Sequence, residues 1–405
     1  MKDASPKRVG LFICGYSLGS GAQVPNAALV LESHGYQVDI LTYRAQDKEL
    51  VTFETDLIHI YDLGDSIRNV KNKLLSRLVS LARTLKIVLT GRREYLVIPE
   101  HVVQRARKII NTQRYTCFIG IQINGLILAG LLGREFKVPV MYYSLELYLS
   151  NHPGFSGILF RNAKNLERKY HKQSIATIIQ DEERANLLYR DNRVVNPETY
   201  YVPVSLLGEA VKNETHWLYD TLGIPDNKKI ILQFGRIHAH RLSPEVVRVA
   251  QDFPDEWVVV MHGPVTKNEM AELRQYNVKN RVYFSTDILP IHEVPRIIAS
   301  ADVGLVFYLN DCANNYLVGS SSEKLAYYLK CGLPVITSDF PSLNRIIQKY
   351  QCGVCISSPD ELVPAIRTIL SAYDDFRQNA FRCYADHYEF SKHFTKVLER
   401  IDTLS

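Results

Sequence analysis

The chain has 405 residues, 46% hydrophobic and 22% charged, with a formal net charge of +5. That length exceeds one ordinary domain and suits two of about 200 residues each, while the composition excludes global disorder. No apolar run approaches the roughly 20 residues that span a bilayer, and Val9 to Cys14 is too short for a signal-peptide core, so a cytoplasmic protein is expected.

In chain order, Val9 to Cys14 reads as a continuous apolar strand that runs into glycines. A helix over Val24 to His34 and a second strand over Gln37 to Thr42 complete a βαβ unit, whose unbroken apolar strands suit a parallel sheet covered on both faces. Further strands are predicted at Cys117 to Ile123, Val138 to Tyr143 and Thr177 to Ile179, with a helix over Gly157 to Gln173. After Tyr201-Val-Pro-Val204 the pattern restarts. Lys229 to Phe234 is a strand ending at a glycine, and Pro244 to Asp252 is a helix. Strands follow at Trp257 to Met261, Val282 to Phe284, Val303 to Phe307, Pro334 to Thr337 and Gly353 to Ile356. Two such series predict an α/β chain of two Rossmann-like domains facing across a cleft, over 1–205 and 206–385. A C-terminal helix over 386–405 is placed so that it can pack back on the first domain. Ligands are expected beyond the C-terminal strand ends.

Seven cysteines, an odd number, do not suggest a disulfide framework. Cys352 and Cys355 form a CxxC, but no second ligand pair lies nearby, and the segment reads as a short buried strand. Charge is uneven: residues 66–114 hold twelve Lys/Arg against Glu94 and Glu100, a local balance of +10. Leu74, Leu78, Ala82, Leu85 and Leu89 fall at helical spacing inside that block. Such a helix can lie on an anionic membrane surface, or its stripe can pack on the protein's own sheet with the charges solvated. No nucleic-acid-binding motif accompanies the charge.

Three loops carry candidate chemistry. Gly235-Arg236-Ile-His-Ala-His-Arg241 places two guanidinium groups five residues apart after a strand, a spacing that suits a diphosphate or, alternatively, a solvated basic loop. Gly319-Ser320-Ser321-Ser322-Glu323-Lys324 puts serines ahead of a helix that ends at Gly332, either an anion site or a simple serine cap. Lys324 lies in the first turn, where a lysine opposes the macrodipole unless an anion is bound. The loop from Gly15 to Gly21 is glycine-rich without the GxGxxG spacing.

Taken together, these segments resemble the family-four-type glycosyltransferases of the GT-B fold (glycosyl transferases group 1). The likeness runs from Ile231 to Ile356, through FGRIHAHR, Ala301-Asp302-Val-Gly-Leu, Ser322-Glu-Lys324-Leu and Cys331-Gly332-Leu-Pro334-Val-Ile. It implies transfer of a sugar from a nucleotide-diphosphate donor to a glycan or lipid-linked acceptor, with retention and no metal or other cofactor; no DxD motif is present. The donor diphosphate would be held by Gly21, Arg236, Arg241, Ser321, Ser322 and Lys324. Gln122, Asn124, His262, Glu323 and Tyr327 are candidates for ribose, sugar or acceptor contacts, and Glu146 for catalysis. One departure stands out: where many members carry the two glutamates of Glu-x7-Glu, this chain has Gly319 and Tyr327. The rival readings are a nucleotide-sugar epimerase of the same fold and an inactive glycan-binding or partner-stabilising protein. Localisation is expected to be cytoplasmic, with residues 66–114 offering peripheral contact to the inner membrane face.

Overall fold

The computed structural model describes residues 7–15, 18–42, 51–64, 91–151, 157–287 and 289–404. It divides into two compact units, one of residues 1–202 with 391–405 and one of residues 203–390. The leucine stripe and the basic residues Arg68, Lys71, Lys73 and Arg77 lie outside the described residues. No helix among the described residues is long and apolar enough to cross a membrane.

The first unit is a seven-stranded parallel sheet. Its strands are β1 (Arg8–Ile13), β2 (Gln37–Thr42), β3 (Ile58–Asp62), β4 (Cys117–Ile121), β5 (Val140–Tyr143), β6 (Ala176–Ile179) and β7 (Thr199–Tyr201), in the order β3-β2-β1-β4-β5-β6-β7. β1 is buried along its whole length, as a central strand covered on both faces must be. Register runs Ile13 opposite Thr42 on one side and Ile121 on the other. The sheet order reverses between β1 and β4, so the strand ends diverge there and leave a crevice at their C-terminal edge. β3 and β7 are edge strands with half-exposed side chains; neither carries the long apolar run that marks the inner strands.

A polar network joins four elements of this unit, β5, β6 and two helices. Lys164 donates to Glu167 (2.5 Å) and pairs with Asp191 (2.7 Å), and the Tyr142 hydroxyl donates to Glu167 (2.8 Å). Asn192 contacts His171, whose Nε2 meets Thr177 at 2.8 Å. Burial, reinforced by the Lys164 ammonium, takes the His171 imidazole down to about 3, so it stays neutral. The network ties the helices Ile158–His171 and Glu182–Asn192 to the sheet, which is a structural use of charge.

The second unit repeats the plan with six parallel strands: β8 (Lys229–Phe234), β9 (Trp257–His262), β10 (Val282–Ser285), β11 (Val303–Val306), β12 (Val335–Ser338) and β13 (Gly353–Ile356), ordered β10-β9-β8-β11-β12-β13. Its reversal lies between β8 and β11. Asp302 pins the opposite, N-terminal edge, accepting from Lys229 and from the Ile230 amide at 2.8 Å each. The Ala301-Asp302 segment is therefore a structural part of the motif. All seven cysteines are free; Cys355 on β13 meets the Thr337 hydroxyl at 3.3 Å. The last helix, Phe390–Asp402, ties to the first unit through Tyr36–Asp402 (2.6 Å) and Arg400–Glu198 (3.1 Å).

One boundary corrects the sequence reading. The strand expected through Ile123 ends at Ile121, and Gln122 opens the helix Gln122–Phe136 with φ +59. An apolar run cannot reveal this, since Ile123 and Leu126 stay buried as readily on a helix as on a strand.

Candidate functional site

At the switch point of the second sheet, β8 ends in Phe234 and the chain turns through Gly235 at φ +101. Gly263, which follows β9 at φ +144, crosses so close that a Cβ on it would stand 2.1 Å from the Gly235 carbonyl oxygen. Glycine at 263 is a steric requirement. The loop then forms a 3-10 turn, Ala239–Arg241, followed by Leu242 in the left-handed region at φ +55. Gln233, at the end of β8, donates its amide to the Arg241 carbonyl at 2.7 Å and holds that turn against the sheet.

Arg241 is the residue this construction aims. Its guanidinium lies 3.9 Å from the ring centroid of Tyr308, two residues beyond β11. Lys324 approaches the same ring, its Nζ at 4.8 Å. The Tyr308 hydroxyl meets the Ser322 hydroxyl at 2.9 Å, and Ser322 caps the helix Glu323–Lys330 by accepting from the Leu325 amide at 3.3 Å. One aromatic ring thus gathers both cations and a helix N-terminus. No carboxylate pairs with Arg241 or Lys324 among the described residues, and Arg241 Nη1 is buried with no hydrogen-bond partner. Burial, with the Arg241 charge adding to it, pushes the Lys324 ammonium well below its usual pKa. The ring faces supply some compensation, but the arrangement remains short of negative charge.

The other sequence-predicted residues of this unit fall around that centre in different roles. Arg236 is exposed, and its charge acts on Glu269, which also pairs with His238 at 3.2 Å. His240 stacks on His238 and meets Asp311 at 3.0 Å. Ser321 spends its amide on Val318 (2.9 Å) and its hydroxyl on Leu317 (3.3 Å), within the turn before the helix. His262 ends β9, stacked on Phe234 at 5.7 Å and bonded to Ser285 at 2.8 Å; burial lowers its pKa, so the ring is neutral at pH 7. Tyr327 packs edge-on against Phe234 at 6.1 Å, its phenol raised by burial first and the Glu323 carboxylate second.

The missing glutamates have a steric counterpart. A Cβ on Gly319 would lie 2.4 Å from the Ser342 carbonyl oxygen, so no larger residue fits this backbone. The Tyr388 hydroxyl donates to the Gly319 carbonyl at 2.6 Å and fixes the turn. Tyr308, Gln233 and Tyr328 escaped the sequence reading. Tyr328 bridges β8 by accepting from the Phe234 amide (2.8 Å) and donating to the Leu232 carbonyl (3.1 Å). For Tyr308 a signal was present: an aromatic directly past an apolar strand, at the sheet's reversal.

In the first unit, Gly21 is buried just ahead of the helix Gln23–Ser33. Glu146 follows β5 in a half-buried loop held by Arg184. That arginine bonds Gln180 at 2.7 Å and the Leu145 carbonyl at 2.9 Å, while Gln180 donates to the Ser144 carbonyl at 2.8 Å. Gln122 and Asn124 stand at the switch point between β1 and β4, where they line a cavity with Cys14 and Gly15.

Residues 248–389 match the family model described as Glucosyltransferase 3-like, C-terminal domain. No curated protein is matched by sequence. Similar solved structures include the sucrose-phosphate synthase of Thermosynechococcus elongatus, 14% identical, covering 98% of this chain and 100% of that one at a TM-score of 0.70. Anabaena HepE in complex with UDP-glucose is 14% identical, covering 98% and 100% at a TM-score of 0.69. A glycosyltransferase from Rickettsia africae is 12% identical, covering 99% of each chain at 0.66. The likeness to these structures gives the chain the GT-B fold. More particularly, residues 248–389 of the second unit are similar to a glucosyltransferase 3-like C-terminal domain.

Proposed function

We propose that the protein transfers a sugar from a uridine-diphosphate donor to a glycan or lipid-linked acceptor, with retention and without a metal. The observation that carries this reading is the Arg241–Tyr308–Lys324 stack, two cations without a carboxylate beside a serine-capped helix start. A diphosphate supplies the missing charge, and its oxygens match the free guanidinium edge. HepE, whose structure was determined with UDP-glucose, supports uridine as the base.

In the reaction the bond between the anomeric carbon and the diphosphate oxygen breaks, and its electron pair leaves with the diphosphate. Arg241 and Lys324 stabilise the charge that grows there, the contribution a metal ion would otherwise make. The acceptor hydroxyl oxygen bonds to the anomeric carbon and its proton passes to the departing phosphate, a same-face course that retains configuration. Gly21, Arg236, Ser321 and Ser322 remain proposed diphosphate contacts, with Ser322 and Arg241 the best placed. His262, Glu323 and Tyr327 are proposed on the ribose or sugar side.

The test is a titration of UDP and UDP-glucose in chelator. Binding is expected without metal and weakened at least tenfold in Arg241→Ala, a loss of about 1.5–3 kcal/mol for a charge-assisted contact. A strict requirement for magnesium or manganese, or unchanged affinity in the variant, would overturn the reading. For residues 66–114 we propose contact with an anionic membrane surface, since each Lys or Arg near such a surface contributes on the order of 1 kcal/mol. Acidic vesicles should then bind wild type at low salt, and a variant with Arg68, Lys71, Lys73 and Arg77 changed to Glu should not.

A further inference from the structure

Between the helix Tyr373–Cys383 and the last helix, the chain makes one turn of π-helix, Tyr384–Tyr388. The Glu389 amide closes it by reaching back to the Tyr384 carbonyl at 2.9 Å. Such turns are rare and occur frequently at functional sites. Its near end is tied down: the Tyr384 hydroxyl meets the carbonyl oxygens of Leu206 and Gly208 at 3.0 and 2.8 Å. Its far end reaches the turn Gly319–Ser321, which leads directly into Ser322 and Lys324. Tyr388, fully buried, donates its hydroxyl to the Gly319 carbonyl at 2.6 Å, and His387 Nε2 meets the Ser320 hydroxyl at 3.2 Å. The other backbone groups of these two residues are also gripped from outside. The Gly319 amide donates to the Ser342 hydroxyl at 3.2 Å, and the Ser320 carbonyl accepts from the Val204 amide at 2.8 Å. Gly319 has no side chain with which to brace the turn, and the Ser342 carbonyl oxygen leaves no room for one.

Resting on the diphosphate site proposed above, we infer that Tyr388 is a positioning residue for sugar transfer: through the Gly319 carbonyl it holds the serine turn so that Ser322 and Lys324 face the donor diphosphate. A phenylalanine would fill the same space in the core, so packing alone does not call for a hydroxyl here. The hydroxyl is spent on the turn, a few residues ahead of the side chains that would meet the ligand. From there the contacts run on without a gap. Ser322 bonds the Tyr308 hydroxyl and caps the helix that carries Lys324, and the Tyr308 ring gathers Arg241 and Lys324. A shift of Gly319 therefore reaches both cations through one serine.

Calorimetric titration of the full chain with UDP, and with uridine, which lacks the phosphates, tests this. Tyr388→Phe keeps the ring and deletes the hydroxyl. UDP should bind it at least about fivefold more weakly than wild type, within the range by which residues that do not touch a ligand modulate its site, and uridine affinity should be unchanged. A merely structural hydrogen bond would lower the thermal midpoint and leave the ratio of UDP to uridine affinity alone. Tyr219→Phe should behave in that way, since it deletes a hydroxyl bonded at 3.0 Å to the Lys228 carbonyl at the opposite edge of the same sheet. Unchanged UDP affinity in Tyr388→Phe, or UDP and uridine weakened by the same factor, would overturn the inference. If Tyr388→Phe does not fold, His387→Leu takes its place with the same selective loss of UDP. His387→Gln, whose amide nitrogen can stand where Nε2 stands, should then restore it, and undiminished UDP binding in His387→Leu overturns the inference equally. Wild type separates the two readings. If it binds UDP no better than uridine, the diphosphate site falls and this inference with it; if it prefers UDP and Tyr388→Phe keeps that preference, the inference alone falls.

Discussion

Lys324→Met removes a cation while keeping most of the side chain's length, and its two consequences should separate cleanly. Arg241 and Lys324 lie 3.9 and 4.8 Å from one ring centroid, so their charges are no more than about 9 Å apart. At an effective dielectric of about 20, their repulsion is then at least about 2 kcal/mol. Against this stands the cation–π attraction of Lys324, about 0.5–2 kcal/mol. The two nearly cancel, so the free protein should keep its thermal midpoint or gain slightly. The liganded protein should lose a charge-assisted contact of roughly 1.5–3 kcal/mol, a tenfold to hundredfold drop in UDP affinity. In a thermal-shift assay at UDP 100 times the wild-type Kd, wild type gains about 2.7 kcal/mol; a variant bound 30-fold more weakly gains only about 0.9 kcal/mol. Calorimetric titration gives the Kd directly. An undiminished UDP shift in Lys324→Met, or a large loss of stability in the free variant, would refute the placement of this lysine as an anion ligand.

Lys324 also sets a pH dependence. Its ammonium pKa is lowered in the free protein by burial and by Arg241, and a bound diphosphate raises it again. UDP binding should therefore take up a proton, and affinity should fall as pH rises through the lowered pKa, a slope absent in Lys324→Met. By the same linkage the unfolded chain holds the proton where the folded one does not, so free-protein stability should rise with pH across that window. Gly319→Glu, which restores the missing carboxylate, should destabilise by about 1–3 kcal/mol through overpacking against Ser342; an unchanged melting temperature would count against the close approach. Arg184→Met should cost about 1–3 kcal/mol in denaturant unfolding, because Gln180 Oε1 and the Leu145 carbonyl lose the guanidinium that donates to them. UDP affinity should be untouched, since Arg241 and Lys324 belong to the other unit.

Much of the fold was legible in the sequence because parallel strands buried on both faces must be continuously apolar. Lys229 to Phe234 and Gln37 to Thr42 lie where the apolar runs placed them. The edge strands β3 and β7 were not legible, because an edge needs no apolar run and is made by its neighbour's hydrogen bonds. Arg241, Ser322 and Lys324 could be singled out as chemical types at meaningful spacings along the chain. What brings them together is Tyr308, whose importance comes from the return of β11 beside β8, a pairing of segments some seventy residues apart. Arg236, indistinguishable from Arg241 by type and spacing, faces Glu269 and solvent instead. Gln122 makes the same point in the first unit. The sequence by itself determined that a polar residue follows an apolar run. Only the tertiary structure decided that its amide is buried without partners among the described residues, because burial and hydrogen-bond satisfaction depend on what the rest of the chain folds against it.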